Sequence, residues 1–244
     1  MTKKSWYEAV ETVSPHVVRI LTPHGSGTGF LFYRSGGLIG LATAAHVIAQ
    51  CHYWEDPIRI LHSPSDGAVL LRMSERAVFL DSRKDTAAIV IADSKLSLPP
   101  KPFDLVPEGR YLKVGNEIGW LGFPAVASSD LCFFGGRISA WKEDVRAYLV
   151  DGVAINGVSG GPAFHIHGEG DLRLLGVVSA YIPNRATGDV LPGLAVVRDV
   201  TQFHELVKDF KSLDEAKEEE TPPAELPQPP INESKPDVPT KHSY

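Results

Sequence analysis

The chain has 244 residues, enough for one large domain or two small ones around a real hydrophobic core. Its net charge is -6, but the segment 212–244 holds eight Asp/Glu against three Lys/Arg, so the body is almost neutral and has no basic stripe of the kind nucleic-acid binding needs. No run approaches the ~18 apolar residues of a membrane span; two cysteines far apart, Cys51 and Cys132, allow one disulfide but fit free thiols in a reducing compartment at least as well, and a cytoplasmic protein is expected.

The N-terminal stretch "MTKKSWYEAVETVSPHVVRI" is not a signal peptide, because Trp6, Glu8 and Glu11 interrupt any apolar core. It predicts a short helix around Ser5 to Val13 instead. Short apolar runs rich in β-branched residues follow: "HVVRILT", "GTGFLFY", "GLIGLATAAHVI", "IRILH", "AVLLRM" and "AAIVIA". Gly, Pro, Asp or Ser separates most of them, the signature of a barrel or sandwich rather than of alternating βαβ units. The stretch "SKLSLPPKPFDLVPEG", Ser94 to Gly109, contains four prolines and reads as a linker between two β units. Further runs then follow: "EIGWLGF", "AYLVDGVAI", "LLGVVSAYI" and "GLAVV". Beyond them Val200, Phe203, Leu206, Val207 and Phe210 recur at helical spacing, with Asp199 or Thr201 as cap. The expected division is residues 1–98, 99–211 and an acidic, Pro-rich tail at 212–244. The tail is too poor in large apolar residues to offset chain entropy on folding and is expected to be disordered.

Within the second unit, "INGVSGGPAF" sets Ser159 among three glycines and a proline. Taken alone it is either a nucleophile turn or an ordinary loop. A nucleophilic serine needs a base, and nine histidines are available. Eight sit in loops, polar faces or the tail. His46 closes the apolar run "LIGLATAAHVI" and is expected at a strand end, although that segment alone reads equally well as a satisfied core histidine. The base needs an acid to orient it. Asp85 heads the buried-looking run "DTAAIVIA", where a carboxylate is costly unless hydrogen-bonded. Asp81, in the turn-like "LDSRK", is the alternative.

Together "TAAHV", "DTAAIV" and "GVSGGPAF", in the order His46, Asp85, Ser159, resemble the three active-site signatures of the chymotrypsin-like serine peptidases. The nearest variant in style is the bacterial high-temperature-requirement type, without a PDZ domain. "GSGTGFLF" resembles the glycine-rich strand before the histidine segment, and "GNEIGWLGFP", "FFGGRISA" and "LLGVVSAYI" resemble strands of the second barrel, so the resemblance runs from about Ser14 to Leu206. It implies an all-β fold of two six-stranded antiparallel β-barrels with a C-terminal helix. It also implies a serine endopeptidase acting through an acyl-enzyme. Ser159 would be the nucleophile, His46 the base, Asp85 the orienting acid, and the N–H groups of Gly157 and Ser159 the oxyanion hole. Val153 and Ala154 would form the base of the primary pocket, and Ser179, Ala180 and Tyr181 its wall. With no acid there, small or medium apolar side chains are expected on the acyl side. Val158 stands where secreted digestive members carry an acid that pairs with a freshly cut N-terminus, so arming by N-terminal cleavage is not expected.

The resemblance leaves open a catalytically silent peptide-binding module and a peptidase switched on by a regulatory partner within a larger assembly. No cofactor and no metal are expected. "HIH" at His165 to His167 lacks further ligands at metal-binding spacing and reads as an exposed strand. "HEL" at His204 lacks the second histidine of a zincin helix, and "GSGTGF" leads into a strand without the Lys-Ser/Thr of a phosphate loop.

Overall fold

The computed structural model describes residues 4–62, 67–168, 170–184 and 191–220, with 181–184, 191–193 and 213–220 described as backbone only. Helix α1 (Trp6–Val13) begins with a capping box: the Ser5 hydroxyl accepts from the Glu8 N–H while the Glu8 carboxylate accepts from the Ser5 N–H. Its Ala9 and Val13 pack with Val17 against Leu121, Phe123 and Phe164, fastening the N-terminus to the second half of the chain.

Seven antiparallel strands make the first sheet: β1 (Val17–Thr22), β2 (Gly25–Ser35), β3 (Leu38–Thr43), β4 (Ile58–Leu61), β5 (Val69–Leu71), β6 (Ala77–Asp81) and β7 (Thr86–Ala92). Their order is β5-β4-β1-β2-β3-β7-β6. Val18, Ile20, Ile39, Leu41, Ile58, Ile60, Ile89 and Ile91 recur at every second position and fill its inner face. The family resemblance implies a closed six-stranded barrel here, and the seven-stranded sheet is instead a half-barrel. Among the described residues no ladder joins its edges, β5 and β6. Arg76 is buried beside the short β5 and donates from its guanidinium to the carbonyls of Leu71 and Asp56, both at 2.6 Å, tying the end of β5 to the loop before β4.

The second unit closes as expected. Strands β8 (Glu117–Gly122), β9 (Cys132–Lys142), β10 (Ala147–Asp151), β11 (Pro162–His167), β12 (Asp171–Asn184) and β13 (Leu191–Asp199) form a barrel in the order β10-β13-β12-β11-β8-β9. Trp120, Tyr148 and Val177 are among its fully buried residues. β12 and β13 pair Val178 with Val197 but Ala180 with Val196, so Ser179 is an extra, unpaired residue, a bulge.

Two further helices complete the structure. Helix α2 (Ala45–Tyr53), which the sequence reading takes for the end of a strand, buries Ala45, Ile48 and Cys51 in the first core. Helix α3 (Thr201–Glu220) is the C-terminal helix and takes in residues 212–220, which the sequence reading assigns to the disordered tail; the rest of that tail, 221–244, lies outside the described residues. The Phe203 ring sits 5.0 Å from that of Phe32 and 6.5 Å from that of Phe30, so α3 ties β2 to the barrel through one shared core. Among the described residues no helix is long and apolar enough to cross a membrane. Phe203 is fully buried, so Phe203→Ala should lower the free energy of unfolding in urea by ~3–5 kcal/mol; a loss below about 1 kcal/mol would show that α3 is dispensable to the core.

Candidate active site

Strand β3 delivers the chain to Ala44, where helix α2 begins without any side-chain cap of its own. The first N–H groups of a helix need acceptors, and one is supplied from another part of the fold. Asp85 Oδ1 accepts from the His46 N–H at 2.9 Å. The same carboxylate lies 2.9 and 3.0 Å from His46 Nδ1. Asp85 thus stabilises the positive end of α2 and fixes the imidazole with Nε2 turned outward. It does so from a left-handed backbone conformation, φ 50°, at the end of the β6–β7 hairpin, a region that Asp tolerates better than most residues. The alternative acid, Asp81, accepts instead from the N–H groups of Arg83 and Lys84 within its own turn.

Burial pushes the Asp85 carboxyl up, but three donors together outweigh it. These are the His46 side chain, the Ser179 hydroxyl and the His46 N–H, and the carboxyl ends below the usual aspartate range. Ser179 can reach because it is the bulged residue of β12, and its hydroxyl donates to Asp85 Oδ2. Its role is therefore at the back of the imidazole rather than only in a pocket wall. Its carbonyl accepts from the Ser159 hydroxyl at 3.3 Å.

Ser159 sits in a run of turns that glycine makes practicable. The Val158 N–H donates to the Ile155 carbonyl at 3.1 Å, with Gly157 at φ 92°, the left-handed third position of a type II turn. A side chain at Gly157 would meet the Phe123 carbonyl at 2.3 Å. The carbonyl of the turn's central peptide, Asn156, accepts from the Ala125 N–H at 2.7 Å, which holds that peptide in one of its two orientations. Among the described residues neither the Gly157 N–H nor the Ser159 N–H has an acceptor in the protein. Both residues, with His46, line a cleft of about 450 Å³. Two unpaired donors beside a serine can stabilise an oxygen that gains negative charge.

One strand residue locks this turn to the first sheet. Fully buried Thr28 donates from its hydroxyl to the Gly157 carbonyl at 2.8 Å, accepts there from the Phe123 N–H at 3.0 Å, and donates its own N–H to the Ser159 carbonyl at 2.8 Å. The Thr28 carbonyl accepts from the Thr43 hydroxyl at 2.7 Å, three residues before His46. Neither threonine stands out in the sequence; the only signal is the glycine on each side of Thr28.

The remaining expected residues are less concentrated. Val153 is 42% exposed, Ala154 is buried, and Ala180 is exposed next to the bulge. Tyr181 is on β12, with its side chain outside the described residues. Val153, Ala154 and Ala180 do not line the cleft that His46 and Ser159 share. The "HIH" strand differs from the expected exposed one: His165 is 7% exposed, and burial pushes its pKa down to about 4, while His167 is exposed.

Residues 27–177 match the family model described as the trypsin-like peptidase domain. No curated protein sequence matches the chain. Solved structures similar to it include an inactive form of a mutant Rv3671c from M. tuberculosis H37Rv, 20% identical over 87% of this chain and 96% of that one, with a TM-score of 0.58. The serine endoprotease from Yersinia pestis is 17% identical over 86% of this chain and 69% of that one, with a TM-score of 0.62. Deg5 is 20% identical over 82% of this chain and 90% of that one, with a TM-score of 0.60. At such identities the likeness is one of fold, and the chymotrypsin-like double-barrel arrangement fits it.

Two substitutions test how the site is held. Thr28→Val keeps the shape but leaves the Gly157 carbonyl and the Phe123 N–H without their partner, so stability should fall by ~2–4 kcal/mol; a change under about 0.5 kcal/mol in urea unfolding would mean Thr28 is only packing. Ser179→Ala removes a donor from a carboxylate whose pKa is lowered by folding. That contribution is present above the ordinary aspartate value and is lost as pH falls through the lowered one. The variant should be less stable by ~1.5–3 kcal/mol at pH 7, with the difference shrinking below about pH 4. An equal loss at pH 7 and pH 3 would contradict the charge-assisted bond.

Proposed function

We propose, from the premise that the chain belongs to the trypsin-like peptidase family and is a serine endopeptidase, that Ser159, His46 and Asp85 form its catalytic triad. The observation that carries this reading is the double hold of Asp85 on His46, at N–H and Nδ1, beside a cleft shared with Ser159. In the first step the Ser159 hydroxyl leaves the Ser179 carbonyl by a rotation of roughly 120° about χ1 and meets His46 Nε2. Its oxygen attacks the peptide carbonyl as its proton passes to Nε2. The carbonyl oxygen takes up the negative charge and is received by the N–H groups of Gly157 and Ser159. His46 then gives the proton to the leaving amine, the C–N bond breaks, and an acyl ester on Ser159 remains. Water deprotonated by His46 hydrolyses that ester by the same route in reverse. Asp85 stays ionised throughout and stabilises the imidazolium, an assignment its lowered carboxyl pKa supports.

The acyl-side pocket is assigned to Val153, Ala154, Ser179, Ala180 and Tyr181, with a preference for small or medium apolar side chains. The absence of an acid from these five positions supports it. The Val158 side chain is wholly buried in the core, which supports a site that is not armed by pairing with a new N-terminus. Cys51 and Cys132 are free thiols, which supports a reducing compartment such as the cytoplasm.

A fluorophosphonate probe should label the wild-type chain and neither Ser159→Ala nor His46→Ala, since loss of a triad member costs several orders of magnitude in acylation. In a panel of peptides differing only at the acyl-side residue, Ala, Val or Leu should be cut faster than Lys or Arg. An unlabelled wild type would overturn the triad, and a best substrate with Lys or Arg would overturn the pocket assignment.

A further inference from the structure

Helix α2 carries more than His46. At 3.6 residues per turn, positions 46, 50 and 53 fall within about 60° of one another, on the face opposite the buried Ile48 and Cys51. Gln50 lines the same cleft as His46. One turn further on, Tyr53 and Trp54 stand 76% and 63% exposed, their rings edge to face with centroids 4.9 Å apart. Neither ring lines the cleft itself, but both stand one turn beyond Gln50, and adjacent large aromatic rings left in water mark a surface that something covers in use.

The cleft has a direction. It is lined by His46 and Gln50 of α2, by Gly157 and Ser159, and by Thr22 and His24 at the β1–β2 hairpin. Ser179 and Ala180 of β12 are not in its lining. Its described lining therefore runs from Ser159 along α2 toward the β1–β2 hairpin. Its far wall is closed by a specific contact: His24 Nε2 lies 2.9 Å from the Asp56 carboxylate, joining the hairpin to the loop that follows Trp54. Because His46 hands its proton to the leaving amine, the product that departs first lies on this side.

We infer that Tyr53 and Trp54 are a specificity-determining surface for the leaving-side segment of the substrate, taking an apolar or aromatic side chain. Seven residues of helix separate Tyr53 from His46, a rise of about 10.5 Å. An extended peptide advances ~3.3 Å per residue. The side chain received is therefore that of the third or fourth residue after the cut. Gln50, between them, offers an amide to the backbone of the intervening residues. The inference rests on the triad reading and adds to it the substrate's far half, which the acyl-side pocket cannot read.

The test uses the full chain and a random peptide mixture, with cleavage products sequenced by mass spectrometry. Phe, Trp, Leu and Met should be enriched at the third or fourth position after the cut. For one cleaved sequence, a peptide with Phe there is compared with the same peptide carrying Gly. The double variant Tyr53→Ala, Trp54→Ala should flatten the enrichment and lower kcat/KM on the Phe peptide about five- to tenfold, the size of a lost aromatic contact, mainly through KM. Hydrolysis of the Gly peptide and the rate of fluorophosphonate labelling should be unchanged, which also shows that the double variant is folded. Labelling with a flat leaving-side profile, or a profile the double variant leaves as it was, overturns this inference alone. No labelling of the wild type overturns the triad first and this inference with it.

Discussion

Four hydrogen bonds converge on Thr28, and the cleft exists because they do. Its N–H holds the Ser159 carbonyl, its hydroxyl holds the Gly157 carbonyl and takes the Phe123 N–H, and its carbonyl takes the Thr43 hydroxyl. The first half of the fold supplies His46 and Asp85 and the barrel supplies Ser159, so any slip between the two would separate His46 from Ser159. Packing alone is a poor guard against such a slip, because apolar contact is non-directional. A buried threonine bonded to both sides is directional, and breaking its bonds leaves orphan groups in the core. Close approach has a further requirement. A side chain at Gly160 would meet the Thr28 carbonyl at 2.0 Å, and one at Gly27 would meet Val47 at 2.6 Å.

Asp85 illustrates how a costly group becomes affordable. An aspartate near the junction of two cores loses solvation, and a left-handed backbone adds strain. What offsets both is that a single carboxylate satisfies an uncapped helix, an imidazole and a hydroxyl. The helix needs the carboxylate as much as the imidazole does, since Ala44 cannot cap it. Stability and site geometry are therefore one set of interactions here. That coupling is why the bulge at Ser179 matters: without the extra residue in β12, the hydroxyl would follow the pleat and miss Asp85.

The strands were legible because alternating apolar residues and Gly/Pro punctuation are local signals; closure of the second sheet into a barrel was legible only through the family resemblance. Asp85 was legible for a related reason, since an acid at the head of an apolar run demands a partner. What escaped the sequence is what depends on distant residues. Helix α2 lacks a local cap because its acceptor is 39 residues away, so "LATAAHVI" read as a continuing strand. The position of Ser179 depends on a one-residue register shift against β13. Thr28 was hidden for the same reason: a threonine between glycines in a strand is ordinary until its four partners, drawn from three other segments, are in place.

These constraints divide the cleft into two kinds of position. Thr28, Thr43, Gly157, Gly160 and Asp85 are buried or meet backbone at close range, and nearly any substitution there disturbs several bonds at once. The side chains of Gln50 and Tyr53, on the outer face of α2, and of Trp54, just past its end, are exposed. A helix anchored at one end by Asp85 and along its inner face by Ile48 and Cys51 can change its outer face without moving His46. On the proposed reading, substrate choice on the leaving side can therefore vary independently of catalysis. On the proposed acyl side that freedom is narrower, because Ser179 also supports Asp85.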